Sequence, residues 1–242
     1  MKIAIPTHRR SDTINKLTLS LLTEFDKKDI YLFISDEADM SRYMEVCPDY
    51  NLVLCETDNA TDKFNYIQNY FDVGVFVIVI EDDIKQIQSL MTKNLQKLFS
   101  FIINYCNNKK INSFGVYPSS NKFFMSKTID IGATYIVANL FGFRSTKDHR
   151  VLCQLKTKTD YERSVKYYKY MGNIARFNFI SCLTNNYKNQ GGMQDIADRA
   201  SLERQASLML CKLYPDIFSI NANRKSQYTE IQMVKNVVKE QL

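Results

Sequence analysis

The stretch VFVIVIEDD, residues 75–83, decides how this chain is read. Its six apolar, mostly β-branched residues are too few for a long helix. Without alternation they predict a strand buried on both faces, the central strand of a parallel sheet. The strand ends on three consecutive carboxylates, Glu81, Asp82 and Asp83. Open α/β sheets bind ligands at the carboxyl ends of their strands. Like charges crowded there are stabilised by a cation, and hard oxygen ligands suit Mg²⁺ or Mn²⁺, which commonly hold a substrate phosphate. The plainer alternative is a solvated acidic turn capping a helix expected to begin near Ile84. The wholly apolar strand before it favours the ligand site.

Working outward, the alternation of strand and helix holds on both sides. Residues 2–5 predict a first strand ending in Pro6-Thr7-His8-Arg9-Arg10, followed by a helix carrying Ile14, Leu17, Leu21, Leu22 and Phe25. Residues 30–34 and 51–55 predict two more strands, the first closing on Ser35-Asp36-Glu37. A helix with Phe64, Ile67 and Phe71 follows the second. A long helix with Ile84, Ile87, Met91, Leu98 and Ile102 is expected after the central strand, then a strand over 112–117. This order implies a parallel sheet with right-handed crossovers.

Beyond residue 118 the alternation breaks. Strands are expected in FFMSKTID (123–130) and ATYIVAN (133–139), a helix over 160–171 stopped by Gly172, and a strand over 174–183. A polar loop at 185–192 leads to a helix over 195–213, with Leu202, Ala206, Met209 and Leu213 on one face. The tail is expected to be irregular, then helical. With no repeat and no low-complexity linker, the 242 residues are expected to form one domain: a nucleotide-binding half, 1–117, and a smaller mixed half, 118–242.

Composition narrows the function classes. A hydrophobic content of 45% with 24% charged residues describes an ordinary globule. No apolar run reaches the roughly 18 residues needed to span a bilayer. The N-terminal MKIAIPTHRR has too short an apolar part for a signal peptide. Six scattered cysteines without a CxxC pair predict reduced core residues. The expectation is therefore a cytoplasmic protein without membrane attachment or an obligate protein partner. Residues 1–140 hold 15 Lys and Arg against 17 Asp and Glu, whereas residues 141–242 hold 17 against 9. Such asymmetry suggests a polyanionic partner, nucleic acid first.

The candidate site gathers at strand ends. Arginine forks at Arg9 and Arg10 match phosphate oxygens, and the following helix aims its N-terminus at the same place. Asp36 can accept hydrogen bonds from a uracil imide or a ribose. Lys63, in DNATDKF with Asn59, can neutralise a diphosphate. Each taken alone is an ordinary surface residue; their placement at successive strand ends sets them on one rim.

The ordered set of strand-PTHRR, strand-SDE, DNATDKF and strand-EDD resembles the nucleotide-sugar half of GT-A glycosyltransferases. It is most similar to the family associated with TET/JBP hydroxylases, which includes the base J glucosyltransferase and phage DNA-modifying relatives. KTDYERS, GNIARFN and NQGGM…DRAS extend the likeness into the second half. The resemblance implies a GT-A fold (α/β, Rossmann-like, mostly parallel sheet) and a UDP-sugar donor. Pro6, Thr7, Arg9, Arg10, Asp36, Asn59, Lys63 and Asp82 would hold the nucleotide sugar, and Glu81 and Asp83 would hold Mn²⁺ or Mg²⁺. Two departures stand out: the first carboxylate is Glu81 rather than Asp, and the only histidines, His8 and His149, leave no late third metal ligand.

An inverting glycosyltransferase needs a carboxylate to take the acceptor proton. The resemblance places it at Asp160, with Glu162 as the neighbouring alternative; the plainer role of Asp160 is a helix N-cap. Basic and aromatic residues interleave from Tyr161 to Tyr170. Arg163, Lys166 and Arg176, with the Gly191-Gly192 loop, are expected to form the acceptor surface. The expected function is transfer of a sugar to a hydroxymethylated pyrimidine in DNA, in a host cytoplasm if phage- or virus-encoded. A base-linked sugar or another glycan as acceptor, or a nucleotidyltransferase, are the alternatives.

Overall fold

The computed structural model describes residues 1–57, 59–184, 198–223, 229–234 and 236–242. The chain opens with β1 (Lys2–Thr7), β2 (Ile30–Ile34), α1 (Glu37–Val46), β3 (Asn51–Leu54), α2 (Ala60–Tyr70) and β4 (Phe76–Ile80). It continues through β5 (Ile84–Ser89), α3 (Leu95–Asn108), β6 (Ser113–Tyr117), β7 (Thr128–Ala133) and β8 (Leu140–Arg144). Then come α4 (Thr159–Met171), β9 (Ile174–Thr184), α5 (Arg199–Leu213), β10 (Phe218–Ile220), β11 (Ile231–Met233) and β12 (Asn236–Gln241).

One 10-stranded sheet runs in the order β12-β7-β9-β6-β8-β4-β1-β2-β3, with β5 on a further stretch of β9. Every residue of β4 is buried, as its sequence predicts. Its side chains alternate between two cores. Ile78 and Ile80 join Ile3, Ile5 and Leu32 on one face, while Val77 and Val79 join Ala4, Phe33 and Ile67 on the other. A strand with helices on both faces has no polar side to show, hence the unbroken apolar run. Strands β1, β2, β3, β4, β6, β9 and β12 run one way; β5, β7 and β8 run against them.

Several sequence expectations are corrected. The helix expected over 14–25 is a run of turns ending in a 3-10 turn, Thr18–Leu21. Ile14, Leu19, Leu22 and Phe25 are still buried. The Thr18 hydroxyl, however, donates to the Glu81 carbonyl at 2.6 Å and accepts from the Ile84 amide at 3.0 Å, which ties this segment to the end of β4. The helix expected from Ile84 starts only at Leu95, capped by Asn94, whose side chain accepts from the Lys97 amide at 2.7 Å. Residues Ile84–Ser89 instead pair antiparallel with the far part of the 11-residue β9.

ATYIVAN contributes only Ala133 to a strand. Gly132 is level with the start of β9 and Leu140 with the end of β4, so residues 134–139 cross one face of the sheet as a strap. Ile136 lies over Gly115 of β6, where an added Cβ would come 2.7 Å from Ile136 Cγ2 and 3.1 Å from its Cα. The tail is not helical: β10 and β11 form a hairpin, and β12 pairs antiparallel with β7. On α5 the buried stripe is Glu203, Ala206, Ser207 and Leu210, with Met209 and Leu213 exposed. Lys158 pulls Glu203 inward at 3.0 Å, which turns the helix away from the expected face. Gly172 does stop α4, at φ +87°. All six cysteines are free. Among the described residues no helix is long and apolar enough to cross a membrane.

Gly115→Ala puts a methyl group against the side chain and Cα of Ile136 in the strap. It is expected to lower stability by about 1–3 kcal/mol, the usual cost of overpacking a core. The urea midpoint measures it; an unchanged midpoint would show that the strap is loosely held.

Candidate active site

Strand β6 runs parallel to β4, so the carboxyl ends of β1, β2, β3, β4 and β6 share one edge of the sheet. The side chains there are knitted around Asp82. Its Oδ2 accepts from the Thr7 hydroxyl at 2.7 Å, and its Oδ1 lies 2.5 Å from Nη1 of Arg10. The same nitrogen lies 3.1 Å from Oδ2 of Asp83. Thr7 also shares a 2.5 Å hydrogen bond with the Tyr43 hydroxyl from α1. Its carbonyl accepts from the Lys63 ammonium at 2.6 Å, from α2. Pro6 lies past Ala4, where the pairing of β1 with β4 ends, so its missing N–H interrupts no bond to β4.

Thr7, Arg10, Lys63, Asp82 and Asp83 thus come together, as sequence spacing suggests. Two neighbours cap helices, and a third is exposed. Asp36 caps α1, accepting from the Asp39 amide at 2.8 Å, and His8 approaches it at 3.9 Å. Asn59 caps α2, accepting from the Asp62 amide at 3.0 Å. Arg9 is exposed at φ +54°, its amide held by Asp39 Oδ2 at 2.6 Å. The sequence reading names neither Asp39 nor Tyr43, because its strand-helix alternation assigns no residues to the helix between the strands at 30–34 and 51–55. A helical spacing of Asp36, Asp39 and Tyr43 was the available signal.

Burial and mutual repulsion set the charge state of the cluster. Desolvation, reinforced by Asp83 and Asp82, pushes the half-buried Glu81 up to about 8. Desolvation raises Asp82 as well, opposed by Arg10 and Thr7. Burial works against the Arg10 guanidinium, but Asp82 and Asp83 hold it above its ordinary value. Burial lowers Lys63, opposed only in part by Cys55, Asp82, Asp39 and Asp36.

Among the described residues no group of three or more His, Cys, Asp and Glu side chains forms a ready-made metal cage. What is present is a half-site. Asp83 Oδ1 is buried with no hydrogen-bond partner among the described residues, next to a Glu81 whose burial and acidic neighbours outweigh the positive charges of Arg10 and Arg163. Two carboxylates completed by water and phosphate oxygens is a common way to hold Mg²⁺, so the donor set fits such an ion.

On the opposite face, α4 brings its N-terminus to the same edge, where Thr159 and Thr61 of α2 share a 3.1 Å hydrogen bond. Asp160 is half-buried; its Oδ2 accepts from the Tyr135 hydroxyl of the strap and its Oδ1 from the Tyr161 amide at 3.0 Å. Lys158, not Asp160, is the N-cap. Glu162 is engaged elsewhere: it accepts from the amides of Gln154 and Leu155 and pairs with Lys166 at 2.7 Å.

The basic surface expected from Arg163, Lys166 and Arg176 is corrected by burial. Arg163 is 1% exposed and stacks on Phe141 with its guanidinium carbon 3.7 Å from the ring centroid. Lys166 donates to the Leu152 carbonyl at 2.6 Å, and Arg176 pairs with Asp130 at 2.6 Å. Helix α4 is covered on one side by the sheet and on another by α5 and the hairpin, so little of its polar face reaches water. Gly191 and Gly192 lie outside the described residues.

No protein-family model matches the sequence, and no curated protein matches it either. Solved structures do. One is described as a mycobacterial protein: TM-score 0.55, 9% identity, covering 97% of this chain and 83% of that one. Another is glucosyl-3-phosphoglycerate synthase from Mycobacterium tuberculosis in complex with Mn²⁺, uridine diphosphate and phosphoglyceric acid. It gives a TM-score of 0.51 at 8% identity, covering 99% of this chain and 88% of that one. The same synthase with phosphoglyceric acid alone gives 0.52 at 9%, covering 87% and 78%. At such identities the likeness establishes the fold: a mixed α/β chain of the GT-A, Rossmann-like class, as the sequence led one to expect.

The raised Glu81 carboxyl makes a pH prediction. The unfolded chain releases this proton near the ordinary 4.5, whereas the folded one keeps it until about 8. The folded state therefore loses stability as pH rises through that window, and the loss is complete above it. Glu81→Gln removes this contribution. Urea midpoints at pH 5 and 8.5 should fall less in the variant than in the wild type; equal falls would show that Glu81 ionises normally.

Proposed function

We propose that this chain is a metal-dependent glycosyltransferase that moves a sugar from a UDP-sugar to a hydroxymethylated pyrimidine base in DNA. The observation that carries the transferase reading is the Thr7–Asp82–Arg10–Asp83 cluster at the carboxyl edge of a GT-A sheet. In this proposal Asp83 and Glu81 hold Mn²⁺ or Mg²⁺, which supplies positive charge for the departing diphosphate when bound. Arg9, Arg10 and Lys63 add cations on the same side. Asp36, Asn59, Pro6, Thr7 and Asp82 frame the nucleoside.

Asp160 is the general base of the proposal. It opens α4 at the active edge, and Tyr135 fixes its carboxylate. Glu162 is neutralised by Lys166 and two amides, which leaves Asp160 as the freer of the two. The transferred proton comes from the acceptor hydroxyl as its oxygen attacks the anomeric carbon.

The DNA acceptor is supported by the family resemblance and the basic second half, with one change of surface. With Arg163, Lys166 and Arg176 buried, phosphates would meet the β6–β7 loop instead, which rises from the active edge. There Lys122 and Lys127 are exposed, and Phe123 and Phe124 are 86% and 57% exposed. Cations beside bare aromatic rings suit unstacked bases, and a base in duplex must be flipped out to react. Gly191 and Gly192 are further acceptor residues of this reading.

The deciding experiment incubates the protein with Mn²⁺, a panel of UDP-sugars and hydroxymethylated DNA, then reads UDP release and nucleoside mass. Asp83→Ala is expected to abolish transfer, and chelation to suppress it. Asp160→Asn should fold, bind UDP normally and turn over about 10²–10⁴-fold more slowly, the range for loss of a general base. No UDP release from any donor would overturn the transferase reading.

A separate measurement addresses the acceptor. DNA affinity should fall steeply with salt, because each neutralised phosphate releases counterions. Charge reversal at Lys122 and Lys127 should flatten that slope without changing UDP affinity. Salt-independent acceptor binding would point to a glycan instead.

A further inference from the structure

The metal half-site already holds a cation of the chain's own. A single nitrogen, Nη1 of Arg10, sits between Asp82 Oδ1 at 2.5 Å and Asp83 Oδ2 at 3.1 Å. A divalent ion bound through the free Asp83 Oδ1 would share that carboxylate with the guanidinium, and two cations so close repel strongly. The two carboxylates do not depend on Arg10 equally. Asp82 keeps the Thr7 hydroxyl at 2.7 Å, itself fixed by Tyr43 and Lys63, so its position survives the loss of Arg10. Asp83 has no such second anchor among its described oxygen contacts, and one of its oxygens is unpartnered. Arg10, for its part, is the most exposed of the three side chains, at 24% against 9% and 10%. It is a long side chain following a residue at φ +54°, with water on one side to move into.

We propose that Arg10 is an exchangeable counter-ion: metal binding displaces its guanidinium from Asp83, and the freed fork turns onto the diphosphate of the donor. The proposal rests on the UDP-sugar and metal reading above. It makes Arg10 a positioning residue that couples the two ligands. Without nucleotide, the metal must evict Arg10 into water and binds weakly. With nucleotide, Arg10 has phosphate oxygens to go to and the metal binds tightly. By linkage the effect is reciprocal, so the metal tightens nucleotide binding by the same factor.

The test is direct Mn²⁺ binding, by calorimetry or by the loss of free-ion electron paramagnetic signal, with and without UDP. It is run on wild type, Arg10→Gln and Arg10→Lys. Without UDP, Arg10→Gln is expected to bind Mn²⁺ about tenfold more tightly than wild type, the factor corresponding to loss of one charged hydrogen bond. UDP should then improve its Mn²⁺ affinity far less than it does in wild type. Arg10→Lys keeps the charge but not the fork, so its Mn²⁺ affinity without UDP should match wild type while the UDP effect shrinks. Unchanged or weaker Mn²⁺ binding by Arg10→Gln, with UDP and Mn²⁺ binding to wild type intact, overturns the exchange and leaves the donor reading standing. If Arg10→Gln does not fold, a full UDP effect in Arg10→Lys overturns it equally. Absence of Mn²⁺ binding by wild type, with or without UDP, overturns both.

Discussion

The carboxyl edge of the sheet depends on one buried carboxylate, Asp82. Backbone pairing between β1 and β4 covers only Lys2–Ala4 against Val77–Val79. Beyond it the strand ends are joined by side chains, Thr7 to Asp82 and Arg10 to Asp82 and Asp83. Burying Asp82 is costly, and the cost is offset only while both its oxygens are engaged. The same Thr7 receives Tyr43 from α1, which packs on one face of the sheet, and Lys63 from α2, which packs on the other. Two helices on opposite faces are therefore referenced to a single residue at the mouth of the site. Loss of that residue would be felt by the whole edge.

A second constraint fixes the other wall. The strap at 134–139 must lie flat on the sheet to carry the chain from the far end of β7 to the start of β8, and Gly115 gives it room. Once flat, it presents backbone polar groups toward α4. The helix meets them with Ser164, whose hydroxyl accepts from the Ile136 amide at 2.9 Å, and with Arg163, which donates to the Ile136 carbonyl at 3.3 Å. This docking sets the rotation of α4, and that rotation brings Asp160 to Tyr135 while sending Glu162 toward Lys166 and the 154–155 amides. The two acidic residues, two positions apart, end up in different chemical situations for a geometric reason.

What was legible in the sequence was local. The apolar run before Glu81 identified a strand buried on both faces, because such a strand needs only its own composition to be recognised. Gly172 ended α4 for an equally local reason, a backbone conformation that side chains rarely adopt. What was missed depends on distant partners. Ile84–Ser89 has a spacing compatible with either helix or strand, and the free stretch of β9, about a hundred residues later, decides for strand. The segment at 14–25 carries a helical stripe, yet Thr18 is claimed by the end of β4. The tail became β12 because β7 offered an open edge, which local periodicity cannot reveal.

The charge pattern misled in a related way. Counting residues treats every lysine and arginine as surface, whereas the second half spends several of its cations internally. Arg163 lies on Phe141, Lys166 faces Glu162, Arg176 faces Asp130, and Lys158 with Arg199 faces Glu203. A helix packed on two sides has no wholly solvated face, so interleaved basic and aromatic residues on α4 are as much the sign of double burial as of a polyanion groove. The useful distinction is which cations at the carboxyl edge have no ion-pair partner among the described residues. By that criterion the open cationic surface is not α4 but the short loop with Lys122, Phe123, Phe124 and Lys127, where neither ring is packed into the core. Asn121 holds that loop in a tight turn through the Phe123 amide at 3.0 Å. The rings are thus presented to solvent by a fixed backbone.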